Sequence, residues 1–353
     1  MFLTVYLCQN VKGIGFCLGF PHPRLKKMKT LCIWLLCAIS ALAQTQPRVE
    51  APSGVYEGNS SIAELDQFLG IRYAEPPLHQ LRFANPVKYP AAPDDTFDAS
   101  AYGPGCSQVA YYAQYNGLSE DCLTLNVVRP TGTAPDALLP VLFWIHGGGN
   151  MNGQSIFYNG TALVQHSITI GEPIVYVSIN YRLGGFGFPR SPEFEAEGVL
   201  NLGLKDQYLA LQWAQENVQS FGGDPAKITI FGESAGAANC WSQLHYAYTQ
   251  GEENELFRAM ITESGAPGSL AFPLALEPAD QTALPYGSYS KLLAKTNCTS
   301  VSCLREVPHH VISPLMINQF IIDYAIDNDW FDDTPTSLVE AGEFAALPII
   351  HGE

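Results

Sequence analysis

The stretch from residue 221 to 236 constrains the fold of this chain most, because it joins a buried strand to a turn of unusual geometry. It reads FGGDPAKITIFGESAG. Residues 227–231 form a short, mostly apolar and partly β-branched run, which is typical of a strand buried on both faces. Residues 232–236 have the GxSxG pattern of a nucleophile elbow, in which a serine lies at the tip of a sharp strand-to-helix turn. The sequence therefore predicts an exposed Ser234 followed by a helix over about residues 235–248.

The rest of the chain alternates strands with helices, which favours an α/β fold with a mostly parallel sheet covered on both faces. Apolar runs predict strands at 123–128, 141–145, 174–180, 227–231, 259–262 and 348–351. Near-helical spacing of apolar residues predicts a helix over 203–220. Short antiparallel strands are expected within 49–73, and residues 267–285 are expected to begin a helical excursion over the site rather than a separate domain.

A run of three glycines follows the predicted strand 141–145 and is expected at the carboxyl end of the sheet, beside Ser234. A loop that brings backbone N–H groups within about 3 Å of a developing oxyanion cannot carry side chains there. The alternative is an ordinary glycine turn. The triple repeat, the buried strand before it and the independent elbow favour an oxyanion loop.

Three motifs in order resemble those of the type-B carboxylesterase/lipase family of α/β-hydrolases, over about residues 50–353. The serine stretch resembles one family signature, EDCLTLNVVRP at 120–130 resembles another, and WIHGGG at 144–149 resembles the oxyanion loop. The resemblance implies an α/β-hydrolase fold. It also implies that the amides of Gly148, Gly149 and Ala235 are the oxyanion donors. The family usually has an aromatic residue after the glycines, whereas Asn150 stands here, and this puts the shape of the acyl side of the pocket in question.

The catalytic acid and base are harder to place. In α/β-hydrolases the chain order is serine, acid, histidine, so His146 and Glu233 are not expected in these roles. The later histidines lie in no recognisable base motif: His245, His309, His310 and His351. Residues 347–353 resemble the strand that leads to the triad acid of the family, so the acid and the histidine are expected beyond residue 353. On this hypothesis residues 44–353 are an incomplete domain, inactive as a fragment.

Residues 263–265 resemble a family segment that is buried beside the triad, where Ser264 would support the catalytic hydrogen bonds. Ordinary turn chemistry is the alternative interpretation.

The N-terminus has the pattern of an export signal. Lysines precede an apolar run at 31–43 that ends in the small-residue pattern Ala-Leu-Ala. The run has 13 residues, whereas a membrane-spanning helix needs about 20, so a cleaved signal is preferred to an anchor. Residues 1–27 are an unusual extension, and translation is expected to begin at Met28. The formal charge of −16 argues against nucleic acid and anionic membranes as partners.

The cysteines fit an oxidising destination, since five remain after residue 43. The resemblance implies that Cys106 pairs with Cys122 and Cys298 with Cys303, and the alternative is free thiols or a metal cluster. Cys240 is expected to be a small buried residue. Three sequons are glycosylation candidates if the chain is secreted: Asn59, Asn159 and Asn297.

Together these features predict a secreted serine ester hydrolase that acts on a small-molecule or lipid ester without a cofactor. The loop between Cys106 and Cys122 is short compared with the lid of family lipases, which modestly favours soluble esters. The alternative is a non-catalytic adhesion or binding protein, because the family includes members that retain the fold and lose the triad. The intact elbow serine counts against that alternative. The sequence does not define the oligomeric state.

Overall fold

A computed structural model describes residues 46–251, 255–270, 289–317 and 324–353. Its strands are β1 (Arg48–Ala51), β2 (Gly54–Glu57), β3 (Leu65–Arg72), β4 (Thr96–Asp98), β5 (Gly105–Cys106), β6 (Leu118–Ser119), β7 (Thr124–Pro130), β8 (Leu139–Ile145), β9 (Val175–Ile179), β10 (Gly223–Glu233), β11 (Ala259–Glu263) and β12 (Ile349–Gly352). Its α-helices are α1 (Ala113–Asn116), α2 (Thr161–Thr169), α3 (Gly184–Gly187), α4 (Pro192–Ala196), α5 (Leu202–Asn217), α6 (Ala235–Thr249), α7 (Tyr289–Thr296), α8 (Val301–Glu306), α9 (His309–Met316) and α10 (Pro335–Ala341). The predicted signal at 1–43 and most of the predicted excursion at 267–285 lie outside these ranges.

A seven-stranded sheet forms the centre of this part of the chain, in the order β12-β11-β10-β8-β9-β7-β3. The strands from β12 to β9 are parallel to their neighbours. Strand β7 is antiparallel to both β9 and β3. The predicted mostly parallel sheet is confirmed. The sheet brings the carboxyl ends of β8, β10 and β11 to one edge, and ligand sites of open α/β sheets lie at this edge.

Strand β8 alternates its side chains between two apolar cores, one on each face of the sheet. Phe143 and Ile145 lie in the larger core, with buried side chains of α5 and α6. Trp144 lies in the smaller core, where Val164 of α2 also packs. Because both faces are covered, an alternating polar pattern is absent from β8, and its sequence is a continuous apolar run.

The N-terminal strands differ in part from the prediction. Strands β1 and β2 form the expected antiparallel hairpin, but β4 joins them in parallel. Strand β3 leaves this unit and pairs with β7 at the edge of the central sheet. Alternating polarity predicts an antiparallel strand with one buried face, but it does not identify the partner strand.

A buried ion pair fixes the segment between β9 and α3. The guanidinium of Arg182 donates to both carboxylate oxygens of Asp206 on α5, at 2.8 and 2.7 Å. The two side chains are 4% and 0% exposed. Arg182 also donates to the carbonyl oxygen of Ala84 at 2.8 Å. Each of the three guanidinium nitrogens donates to an acceptor, which offsets the cost of taking the charges out of water.

We expect the substitution Asp206→Asn to lower the free energy of unfolding by about 3–5 kcal/mol, because it leaves the Arg182 charge buried without a counter-charge. Glu216→Gln on the same helix is the matched control, since Glu216 pairs with Lys88 and both side chains are about half exposed. That change should cost less than about 1 kcal/mol. Urea unfolding followed by tryptophan fluorescence measures both, and equal costs would contradict the assignment.

Candidate active site

Ser234 lies at the turn between the end of β10 and the start of α6. Its φ is 55° and its ψ is −121°, a conformation that residues with a β-carbon rarely adopt. Its N–H donates to the carbonyl oxygen of Glu263 on β11 at 2.8 Å. The residue is partly exposed. The turn therefore holds the serine at the carboxyl edge of the sheet, where the positive end of the α6 dipole begins.

Close backbone packing fixes this turn against the end of β8. A β-carbon at Gly236 would lie 2.1 Å from the carbonyl oxygen of Ile145. A β-carbon at Gly147 would lie 2.4 Å from the carbonyl oxygen of Glu233 and 3.2 Å from Cβ of Ser234. Both positions require glycine because the two backbones touch. The structure therefore brings the glycine run directly beside Ser234.

Three backbone amides near Ser234 are free to bind a ligand. Within the described ranges, the N–H groups of Gly148, Gly149 and Ala235 donate no hydrogen bond to the protein. Gly148 and Gly149 have φ values of 108° and 61°. Gly148 is exposed, and no atom lies within 4 Å of the place of a β-carbon at Gly149. A serine hydroxyl with free N–H donors from two adjacent elements can attack a carbonyl and stabilise the oxyanion that forms.

His146 lies beneath the glycine run and is fully buried. Its Nδ1 donates to the carbonyl oxygen of Gly147 at 2.8 Å, and its ring stacks on Tyr181 at 4.4 Å between centroids. Burial lowers the pKa of His146 to about 4. These contacts give the side chain a structural role, in agreement with its exclusion as the catalytic base.

The later histidines have other partners. His245 contacts the carbonyl oxygen of Glu343, His309 contacts the Ser107 hydroxyl, and His351 contacts the Thr262 hydroxyl. His310 is exposed at the start of α9. In the described part of the chain, no side chain forms a hydrogen bond with the Ser234 hydroxyl.

The expectation of a buried segment at 263–265 is wrong for its two polar residues. Glu263 and Ser264 are exposed, and only Gly265 is buried, because a β-carbon there would lie 2.3 Å from the carbonyl oxygen of Ser234. Ser264 has a φ of 54° and its N–H donates to the carbonyl oxygen of Gly352. The segment acts as a turn, and it contacts the elbow through Gly265 and through the carbonyl oxygen of Glu263.

Disulfides join Cys106 to Cys122 and Cys298 to Cys303, as the resemblance implies. The first one closes a loop that contacts the segment after the glycine run, since Gln108 exchanges hydrogen bonds of 2.8 and 2.9 Å with the backbone of Gly153. Cys240 on α6 is fully buried, and burial raises its pKa. Its thiol therefore stays protonated and is not a second nucleophile.

A buried polar network that the sequence did not predict lies behind the glycine run. Its members are Asn150, Tyr181, Asn239 and Tyr324. Asn150 is 0% exposed, so its side chain points into the protein and does not line an open acyl pocket. The only sequence signal was a polar residue in place of the usual aromatic one. Nothing in the chain's periodicity identifies its partners on α6.

Comparisons with known proteins agree with the motifs and with the fold. The model of the carboxylesterase family matches residues 45–353. Lipase 5 of Diutina rugosa is 36% identical over an alignment of 366 residues. The alignment covers 90% of this chain and 64% of that protein. The acetylcholinesterase of Bungarus fasciatus is 35% identical and is matched over 91% of this chain and 55% of its own length.

The crystal structure of Aspergillus niger EstA superposes with a TM-score of 0.75 at 31% identity, covering 87% of this chain and 59% of that one. The predicted α/β-hydrolase fold is confirmed. The chain spans about three fifths of the length of these relatives.

The burial of His146 predicts a pH dependence of stability. Its folded pKa of about 4 lies below the usual 6.5, so the unfolded chain alone gains a proton as the pH falls through 6.5. The stabilisation is complete above pH 6.5 and declines towards pH 4, by about 3 kcal/mol in total.

We therefore expect the urea-derived free energy of unfolding to fall more steeply from pH 7 to pH 4.5 in the wild type than in His146→Gln. The exposed His166 on α2 provides the control, and His166→Gln should keep the slope of the wild type. Parallel curves for the wild type and His146→Gln would refute the burial effect.

Proposed function

Because the chain belongs to the carboxylesterase family, we propose that it is a serine carboxylic ester hydrolase with Ser234 as the nucleophile. The observation that carries this proposal is the set of three unpartnered amides beside a partly exposed, strained serine. An amide that keeps its N–H free beside a nucleophile is available for the charge that develops in a transition state.

The reaction proceeds by acyl transfer through a covalent intermediate. Ser234 Oγ attacks the ester carbonyl, and its proton passes to a base as the new C–O bond forms. The amides of Gly148, Gly149 and Ala235 hold the resulting oxyanion. The alcohol takes a proton and leaves, and water then attacks the acyl-enzyme to release the carboxylic acid and restore the serine.

The mechanism requires a base that takes the proton of the Ser234 hydroxyl. In α/β-hydrolases it is a histidine that follows the serine, but here His245, His309 and His351 are bonded to other groups and His310 is exposed on α9. We therefore propose that residues 1–353 alone turn over esters slowly, because loss of the base costs orders of magnitude in rate. This inference rests on the contacts of those histidines.

The substrate class is a carboxylic ester, either a small molecule or a lipid. The relatives named above include a lipase and an acetylcholinesterase. The loop closed by Cys106 and Cys122 has a sequence separation of only 16, and Tyr112 and Tyr115 pack on Phe157 within 6 Å between ring centroids. A short, packed loop favours soluble esters over an interface-activated lipase.

We propose that the protein is secreted after removal of residues 1–43, with translation starting at Met28. The two disulfides support an oxidising compartment, and relatives include a protein named secreted lipase 1. In the described ranges, no helix is long and apolar enough to cross a membrane.

The nucleophile is tested with protein expressed from its complete coding sequence. Ser234→Ala should abolish hydrolysis of p-nitrophenyl butyrate and labelling by a fluorophosphonate, because it removes the hydroxyl at the elbow that attacks both reagents. Ser300→Ala, which removes the serine that caps α8, is the control and should keep both. A folded wild-type protein that neither hydrolyses the ester nor takes the label would favour the adhesion or binding function instead.

The three glycosylation sequons differ in structure. Asn59 is partly buried, and its Nδ2 donates to the carbonyl oxygen of Ser100 at 2.6 Å. Asn159 is exposed, and only its Oδ1 is bonded, to the N–H and the hydroxyl of Thr161. Asn297 is exposed. A glycan replaces one of the two hydrogens on Nδ2, and the bulky sugar fits the exposed Asn159 and Asn297 better than Asn59, whose Nδ2 lies against the carbonyl oxygen of Ser100.

We expect Asn159 and Asn297 to carry glycans in secreted protein and Asn59 to be unmodified. Enzymatic deglycosylation in ¹⁸O-labelled water, followed by peptide mass spectrometry, reports occupancy at each position. A glycan at Asn59, or an unmodified Asn159, would be inconsistent with this reading of the three side chains.

A further inference from the structure

The buried network behind the glycine run links the two elements that supply the free amides. We propose that Asn150 is a positioning residue: its carboxamide ties the oxyanion loop to the nucleophile helix through Asn239. This inference rests on the proposed function, since it assigns a role to residues that do not touch substrate. Position 150 is one where the family usually has an aromatic side chain.

The link is a direct hydrogen bond between side chains of the two elements. Nδ2 of Asn239, five residues after Ser234 on α6, donates to Oδ1 of Asn150 at 3.0 Å. Both side chains are 0% exposed. Asn150 directly follows Gly149, and its carbonyl oxygen accepts from the N–H of Gly184 at 2.8 Å. The loop is therefore held from its backbone and from its side chain.

The orientation of each group in the link is fixed by a further partner. The Tyr324 hydroxyl donates to Oδ1 of Asn239 at 2.8 Å, which leaves Nδ2 as the group that faces Asn150. The Tyr181 hydroxyl donates to the carbonyl oxygen of His146 at 2.8 Å and lies 3.3 Å from Oδ1 of Asn150. Burial raises the pKa of Tyr181, so this donor keeps its proton.

One atom of Asn150 indicates that the side chain is not there for stability alone. Its Nδ2 is buried and has no hydrogen-bond partner among the residues that the structure describes. A buried donor left unsatisfied is costly, and an apolar side chain at this position would avoid that cost. Residues that carry such a cost are expected where function requires a defined geometry. The Oδ1 atom of Asn150 makes the link to Asn239, and the benefit of this link offsets the cost of the unsatisfied Nδ2.

A simpler explanation for Asn150 is its backbone. Its φ of 56° lies in the left-handed region, where asparagine is tolerated better than most residues. Glycine adopts this conformation without strain, so Asn150→Gly keeps the backbone and removes the carboxamide with its bonds to Asn239 and Tyr181. The two explanations therefore predict different results for one substitution.

The link between Asn150 and Asn239 has a function because the three free amides come from two different elements. Gly148 and Gly149 belong to the loop after β8, whereas Ala235 opens α6. An oxyanion contacts all three only if the loop and the helix keep their separation to a fraction of an ångström. A loop that drifts by about 1 Å loses transition-state stabilisation but still binds the ground state.

The test uses protein expressed from its complete coding sequence and p-nitrophenyl butyrate as substrate. We expect Asn150→Gly and Asn239→Ser each to lower kcat about tenfold with KM within about twofold. The first substitution removes the acceptor of the link, and in the second the serine side chain is too short to reach Asn150. We expect the double variant to lose no more than either single one, since both break the same link. Inhibition by a trifluoromethyl ketone, which forms a tetrahedral adduct, should weaken in parallel with kcat.

Asn201→Gly is the matched control. Asn201 is also a buried asparagine in the left-handed region, with a φ of 51°, and its side chain bonds to residue 325. It should lower the melting temperature and leave kcat unchanged. If Asn150→Gly or a folded Asn239→Ser retains the kcat of an active wild type, the positioning role is refuted and the proposed function stands. An inactive wild type refutes the proposed function itself, and the positioning role with it.

Discussion

The contact between the end of β8 and the start of α6 is the constraint on which the site depends. Backbone meets backbone there, at Gly236 against Ile145 and at Gly147 against Glu233, the residue before Ser234. No side chain fits between them, so the distance from the glycine run to the serine is set by the van der Waals radii of main-chain atoms. Main-chain packing of this kind varies little with thermal motion compared with a contact between long side chains. It gives a reactive hydroxyl and its free amides a common rigid base.

The surrounding structure holds this contact from several directions. The sheet places β10 between β8 and β11, so both flanks of the elbow are strands. The ion pair of Arg182 and Asp206 fixes the segment that begins with Tyr181, and Tyr181 in turn binds the carbonyl oxygen of His146. A chain of buried polar contacts therefore connects α5 to the segment before the glycine run. Strain is concentrated at Ser234 itself, where a left-handed backbone is stabilised by its neighbours.

Much of this arrangement could be predicted from local sequence. The strand before Ser234 and the helix after it follow from a buried apolar run and the GxSxG pattern, and the parallel strands follow from similar runs. The partner of β3 could not be predicted, because alternation specifies a buried face and not a neighbour. The network of Asn150, Asn239 and Tyr181 could not be predicted either, since these residues are distant in sequence and are brought together only by the fold. The exposure of Ser264 shows the same limit, because the resemblance suggested a buried segment and only Gly265 is buried beside the elbow.

The central claim is that the free amides beside Ser234 form an oxyanion hole. The most direct measurement is a crystal structure of the protein after reaction with a phosphonate, whose P–O oxygen stands in for the oxyanion of the tetrahedral intermediate. The account predicts phosphorus bonded to Ser234 Oγ and this oxygen within about 3 Å of the amide nitrogens of Gly148, Gly149 and Ala235. An adduct on Ser234 whose oxygen points to solvent, with those amides unoccupied, would contradict it.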